Sequence, residues 1–274
     1  MFLVNGLLSD SVSAQDRGLH YGDGIFETIA FQDDIPLCWE AHYQRLLEGC
    51  NRLGLLCPST ALLRSEMQLL PVAGPRCVVK ILVTRGAGGR GYRPPGPDSV
   101  PTRLIGHYPW PDFPPEYAVK GIKAKICSTR LGGNPLLAGI KHLNRLEQVL
   151  ARGEWDDPDI AEGLMLDTHG AVIEGTMSNL FCIKDNLLMT PDISACGIAG
   201  IIRRCILELS TQLNMQARVC TLTEKEVYAA DELFLCNSII GVWPVREVER
   251  RVFTVGPRTQ EIRQSLMRLG MIAA

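Results

Sequence analysis

Among the residues able to do chemistry, one lysine has the most unusual surroundings. In Asn134-Pro-Leu-Leu-Ala-Gly-Ile-Lys141-His-Leu-Asn-Arg-Leu-Glu-Gln148, an apolar, glycine-containing approach leads to Lys141 at the head of an amphipathic stretch. The chain has 7 lysines among its 28 cations, so a lysine with a chemical role has few competitors. Spacing predicts a helix over 141–152 with Leu143, Leu146, Val149 and Leu150 on one side. A positive helix end and apolar neighbours both disfavour an ammonium and push the amine toward its neutral, nucleophilic form. Neutral lysine is what imine chemistry with an aldehyde requires. The other reading of the same residues is a solvated lysine that opens a helix.

A second motif is Gly86-Ala-Gly88-Gly-Arg-Gly91, which fits G-x-G-x-x-G directly after a strong strand. A dinucleotide site needs a helix next, so that its N-terminus meets the pyrophosphate. Here Tyr92-Arg93-Pro94-Pro95-Gly96-Pro97 follows, and no helix persists through it. The segment reads instead as mobile backbone presenting Arg90, Tyr92 and Arg93 to an anionic ligand, or as a plain surface loop. Other chemistries lack their residues. The five histidines (20, 42, 107, 142, 169) include no pair three or four apart, so no metal is expected. Neither G-x-S-x-G nor a G-K-[ST] phosphate loop occurs. The ten cysteines form no C-x-x-C pair, and most sit among apolar neighbours as small buried hydrophobes.

Positioning these groups falls to strands and helices mixed in both halves. Strands are predicted over 2–5, 25–32, 102–108 and 121–127, and a continuous β-branched run over 77–84 reads as a buried strand. Helices are predicted over 39–53 and over 62–70, the latter ending before Pro71. Residues 162–190 resemble a meander turning at Asp167–Gly170 and Asp185–Asn186. Helices near 200–213 and 258–269 flank strands over 232–236 and 242–248. Four prolines in the seven residues 109–115 favour an extended connector. The expected organisation is an N-terminal domain over 1–108, a linker over 109–118 and a C-terminal domain over 119–274 that carries Lys141. Without regular β-α-β alternation, the fold class is α+β with two domains.

Composition bounds the setting. With 274 residues, 46% hydrophobic and a formal net charge of −2, the chain can bury two ordinary cores. Thirty acidic residues against 28 basic ones remove the cationic excess expected of a nucleic-acid binder. No apolar stretch approaches the roughly 18 residues of a membrane span, and the start has no signal-peptide pattern. A soluble, reducing, cytoplasmic location is expected.

An ordered set of motifs then narrows the class. Asp16-Arg-Gly-Leu-His-Tyr-Gly22-Asp-Gly-Ile-Phe-Glu-Thr28 and Ala41-His42-x-x-Arg45-Leu46 come first. Val172-Ile-Glu174-Gly-Thr-Met-Ser178-Asn179-Leu180-Phe181, Gly197-Ile-Ala-Gly200-Ile-Ile-Arg-Arg204 and Cys236-Asn-Ser-Ile-Ile-Gly-Val-Trp-Pro244-Val245 follow. Together, over roughly residues 2 to 246, they resemble the fold-type IV pyridoxal-phosphate enzymes, which include branched-chain and D-amino acid aminotransferases and aminodeoxychorismate lyases. The resemblance implies a two-domain fold of that type with pyridoxal 5′-phosphate attached to Lys141. It implies Glu174 at the pyridine nitrogen, and the phosphate held by Arg45, the N–H groups of Ile201 and Ile202, and the loop of Asn237 and Ser238.

Two segments, Arg85-Gly-Ala-Gly-Gly-Arg90-Gly-Tyr92 and Lys141-His-Leu-Asn-Arg-Leu-Glu-Gln-Val149, look like the lyases of the family rather than its transaminases. The implied reaction is elimination of pyruvate from 4-amino-4-deoxychorismate, leaving 4-aminobenzoate, a folate precursor. By analogy Arg90, Tyr92 and Phe26 meet the substrate, and the carboxylate-binding loop comes from the second subunit of a homodimer. Phe26 stands where a tyrosine often serves the D-amino acid enzymes, a departure from that activity. An aminotransferase acting on D-amino or branched-chain acids is the alternative, and a non-catalytic ligand-binding module the third reading.

Overall fold

Alternation of apolar and polar residues builds the first sheet. A computed structural model describes residues 2–70, 74–96 and 99–273; Met1, Pro71 and Pro97 lie outside the described residues. The chain divides into two units, Met1–Pro111 with Ile140–Asn144, and Asp112–Gly139 with Arg145–Ile272. In the first, six antiparallel strands run in the spatial order Leu7–Leu8, Phe2–Val4, Thr102–Pro109, Arg76–Thr84, Gly24–Gln32 and Ile35–Pro36. Ile25, Ile29, Val79, Ile81 and Val83 share a core with Leu46 and Cys50 of the helix Trp39–Leu53 and Leu63 of the helix Thr60–Met67. The β-branched run forms a central strand of this sheet, with Lys80 and Leu82 left half-buried on its other face.

The helix Trp39–Leu53 has the predicted bounds and stops at Gly54, whose φ of 62° supplies the left-handed cap. The next helix begins and ends earlier than predicted, at Thr60–Met67 rather than 62–70. Ser59 is the reason: its hydroxyl accepts the Leu62 N–H at 3.2 Å and fixes the N-terminus.

In the second unit ten strands form one sheet. The strands Asn179–Lys184, Glu232–Asn237, Gly241–Val248, Ile122–Leu131, Ile160–Asp167 and Ala171–Gly175 follow one another in space. The last then pairs back with the first through Glu174 and Asn179, which closes the ring. Leu164, Leu166, Val172, Leu180, Leu235 and Val245 belong to its core. The meander turns fall where they were expected; Asp185 and Asn186 have φ of 48° and 63°, the two positive angles of a tight hairpin.

One element departs from the sequence reading in a way that matters. The helix expected from residue 141 spans only Leu146–Arg152. Upstream of it the backbone is committed elsewhere: the Lys141 carbonyl accepts the Phe26 N–H at 2.9 Å, and the Leu143 N–H donates to the Gly24 carbonyl at 3.0 Å. A segment paired with a strand cannot also close helical turns. Nor does the expected apolar stripe face the core, since Leu146, Val149 and Leu150 are 74%, 63% and 63% exposed.

Candidate active site

Strand Gly24–Gln32 sorts its side chains onto two faces, and both carry chemistry. On one, the Lys141 Nζ lies 4.4 Å from the centre of the Phe26 ring. The Nζ of Lys80 lies 5.0 Å from the centre of the same ring, and burial pushes its ammonium pKa down. Two amines therefore share one aromatic surface in the first unit. The helix-end argument for a neutral Lys141 does not survive, because the dipole acts within the first turn and the helix starts five positions later. Pairing with the strand, rather than a helix terminus, fixes this lysine.

On the other face Glu27 meets His42 and Arg45, one turn apart on the helix Trp39–Leu53. The Arg45 Nε donates to Glu27 Oε1 at 2.8 Å and Nη2 to Oε2 at 2.6 Å, a two-point grip on one carboxylate. The His42 Nδ1 lies 2.6 Å from Oε2. Burial opposes the charge of Glu27, but Arg45 and then His42 outweigh it and hold the carboxyl at about 2. Burial pushes His42 down despite Glu27, so the ion pair is carried by Arg45 and His42 is a neutral partner.

The pH dependence of this cluster has a definite sign. Glu27 titrates below its ordinary 4.5, so its contribution is full above pH 4.5 and is lost as pH falls toward about 2. His42 sits below its ordinary 6.5, so acid favours the unfolded chain, which takes up that proton first. Both groups weaken the fold on the acid side. Glu27→Gln removes the charge and leaves the Arg45 guanidinium without its carboxylate. Thermal unfolding followed from pH 3 to 8 should show a loss of about 3 kcal/mol at pH 7 and a shallower acid limb than the parent protein's.

In the second unit, the ring closure places two functional side chains opposite each other. Glu174 Oε2 accepts the Ile198 N–H at 2.8 Å, and Asn179 Nδ2 donates to the Ile198 carbonyl at 2.9 Å. Ile198 is thereby held by both its backbone groups. The loop it belongs to ends at Gly200, which starts the helix Ile201–Leu209 with no side-chain cap. A side chain at Gly200 would put its Cβ 1.9 Å from Asn179 Oδ1, so this close approach requires glycine. Ile201 and Ile202 are buried in the first turn of that helix, where backbone N–H groups lack helical acceptors.

Asn237 has its side chain spent on architecture: Nδ2 donates to the Met177 carbonyl at 2.9 Å, and Oδ1 accepts the N–H groups of Ile239 and Ile240, each at 2.8 Å. Ser238 follows it in the same turn, half-buried. The turn at Thr176–Ser178 is itself tied to the buried Glu162, whose carboxylate accepts the Met177 N–H at 3.2 Å and the Ser178 hydroxyl at 2.7 Å.

The loop after Arg76–Thr84 is not the mobile backbone that its glycines suggest. Arg17 and Tyr21 bind it along its length, with Arg90, Tyr92 and Arg93 left exposed. Lys80 and the Glu27–Arg45 pair are the functional groups that the sequence reading missed or left without a role. A signal for Lys80 existed: it is the lone charge inside the apolar run over 77–84. Among the described residues, no three His, Cys, Asp or Glu side chains gather where they could hold a metal ion. No helix is long and apolar enough to cross a membrane.

Comparison with known proteins adds three findings. A family model described as amino-transferase class IV matches residues 24–248. An aminodeoxychorismate lyase of Vibrio harveyi is 36% identical over 270 residues, covering 97% of this chain and 99% of that protein. A crystal structure of 4-amino-4-deoxychorismate lyase from Pseudomonas aeruginosa superposes with a TM-score of 0.93 and 44% identity over 98% of both chains. The branched-chain amino acid aminotransferase of Escherichia coli superposes at 0.87 with 26% identity, over 99% of this chain and 95% of the other.

Proposed function

The chain belongs to the class IV aminotransferase family, and we propose that within it the protein is a pyridoxal-phosphate-dependent 4-amino-4-deoxychorismate lyase. The observation that carries the choice over a transaminase is the near-complete match to two lyases, at 36% and 44% identity. The alternative rests on family context alone.

The donor set fits the cofactor. Lys141 supplies an amine for the aldehyde, Arg45 a buried guanidinium for the phosphate, and Glu174 a carboxylate for the pyridine nitrogen. The uncapped start of the helix Ile201–Leu209, with Ile201 and Ile202, offers N–H donors to phosphate oxygens, and Asn237 with Ser238 forms the second phosphate-side loop. When bound, the cofactor supplies an electron sink for the carbon that loses its proton. Lys141 then moves the proton from the substrate's C4, and cleavage of the adjacent C–O bond releases pyruvate and leaves the aromatic 4-aminobenzoate. Aromatisation makes this elimination strongly favourable, so no second amino acceptor is needed.

Substrate carboxylates need cations. Arg90 and Tyr92 fill this role by family analogy, and Lys80 adds an ammonium on the Phe26 ring beside Lys141. An aliphatic branched chain would gain nothing from Lys80. The test gives purified holoenzyme aminodeoxychorismate alone, or D-alanine or leucine with 2-oxoglutarate. Pyruvate and 4-aminobenzoate from the first are expected; turnover only with an amino donor and oxo acid would overturn the lyase reading.

The protein acts as a homodimer in a reducing cytoplasm. Supporting this, Leu146, Val149 and Leu150 expose a row of apolar surface on one helix, and all ten cysteines are free. Sedimentation should give twice the chain mass, and replacing Val149 and Leu150 with glutamate should shift it to the monomer.

A further inference from the structure

We propose that Arg17 is a positioning residue for substrate recognition, one that fixes the backbone of the loop presenting Arg90 and Tyr92. The inference rests on the reading of that loop as a carboxylate-binding element. Residues 86–91 contain four glycines, so the loop has little conformational preference of its own. What orders it must come from outside.

Arg17 is 3% exposed although it is a cation, and its donors are spent on the protein. Nη1 donates to the Gly91 carbonyl at 2.8 Å and Nη2 to the Tyr92 carbonyl at 3.1 Å. Nε donates to the Asp23 carboxylate at 2.9 Å. One planar fork thus grips two successive carbonyls and an anion, a geometry the single ammonium of lysine cannot reproduce. The guanidinium lies 4.7 Å from the centre of the Tyr21 ring. That ring packs edge-on against Tyr92 at 5.5 Å, and its hydroxyl accepts the Gly91 N–H at 3.2 Å. Farther back, the Arg17 N–H donates to the Gly86 carbonyl at 2.9 Å and the Gly88 N–H to the Gln15 carbonyl at 3.2 Å.

Asp23 is anchored in turn. Arg85 grips it at 2.8 and 3.0 Å and also donates to the carbonyls of Leu53 and Gly54, at 2.7 and 2.9 Å. The glycine loop is therefore tied, through Arg17, Asp23 and Arg85, to the end of the helix Trp39–Leu53. Arg17, Arg90, His20 and Tyr21 line a groove of about 540 Å³, in which Arg90 is the exposed cation. Arg17 holds; Arg90 binds. Prepaying the order of the loop lets a carboxylate bind without ordering it again.

Arg17→Gln, Arg17→Lys and the milder Tyr21→Phe test this in the holoenzyme. Asp23 keeps Arg85 in all three, so no carboxylate is left without a cation. For both Arg17 variants, amide exchange across 86–92 should accelerate at least tenfold, with the exchange of Arg76–Thr84 unchanged. KM for aminodeoxychorismate should rise roughly ten- to a hundredfold with kcat nearly constant and the cofactor absorbance unaltered. Tyr21→Phe should give the same pattern in smaller measure. Unchanged exchange overturns the proposal. Faster exchange with unchanged KM overturns the link to substrate, and Arg90→Ala tells where the fault lies. If Arg90→Ala also leaves KM unchanged, the reading of the loop has failed; if it raises KM, the positioning role of Arg17 has failed.

Discussion

Lys141→Ala should be colourless when purified with added pyridoxal phosphate and should retain at most about 10⁻⁴ of the parent activity, because it loses both the covalent attachment point and the proton-transfer base. The fold should survive. What anchors residue 141 is its backbone: the carbonyl accepts the Phe26 N–H and the next residues pair with the strand Gly24–Gln32, none of which needs the amine. The lost side-chain contact is the one with the Phe26 ring. Circular dichroism and thermal unfolding should therefore match the parent's apo form, while the visible absorbance is absent. A yellow Lys141→Ala protein with parental turnover would remove Lys141 from the chemistry. Transfer of the colour to Lys80, the other amine on that ring, would show as a band abolished only by Lys80→Ala in the same background. That outcome would mean that proximity to Phe26, rather than the identity of the lysine, selects the attachment point.

The setting of Lys141 also shows where sequence reasoning runs out. The helix Trp39–Leu53 was legible because everything that defines it is local: its apolar period, then Gly54 in a left-handed cap. Glu174 and Asn179 were legible as a motif, although their use as a clamp on Ile198 was not, since it needs the ring to close. For residues 141–145 the local pattern favoured helix, but two backbone hydrogen bonds to a strand more than 110 positions away took the residues out of it. A propensity of a few tenths of a kcal/mol per residue does not compete with such pairing. Glu27 was hidden for a related reason. Its strand position says only that it is buried, and its partners His42 and Arg45 become visible once a helix is laid on that face. In the loop over 86–91, glycine content suggested mobility, yet the atoms that immobilise it belong to Arg17 and Tyr21, about 70 residues earlier.

Glu174→Gln should lower kcat by about 10²–10³, roughly 2.7–4 kcal/mol of transition-state stabilisation, which is the range for removing one preorganised electrostatic partner. The substitution separates charge from geometry. An amide oxygen can still accept the Ile198 N–H, and Asn179 still holds the Ile198 carbonyl, so the loop leading to Gly200 keeps its course. The negative charge does not survive. By the proposed assignment that charge keeps the pyridine nitrogen protonated, and without it the ring accepts electrons poorly from the carbon that loses its proton. Two buried guanidinium groups also feel Glu174, those of Arg145 and Arg203, so some stability is lost as well. That part should be small, because Arg203 retains its bonds to Thr190 and to the Pro191 carbonyl, at 3.2 and 2.9 Å. The decisive comparison sets kcat against unfolding in the same variant. A drop in Tm with kcat preserved at saturating cofactor would make Glu174 a structural clamp alone. A collapse of kcat with the loop intact by amide exchange is what a charge acting on the reacting system produces.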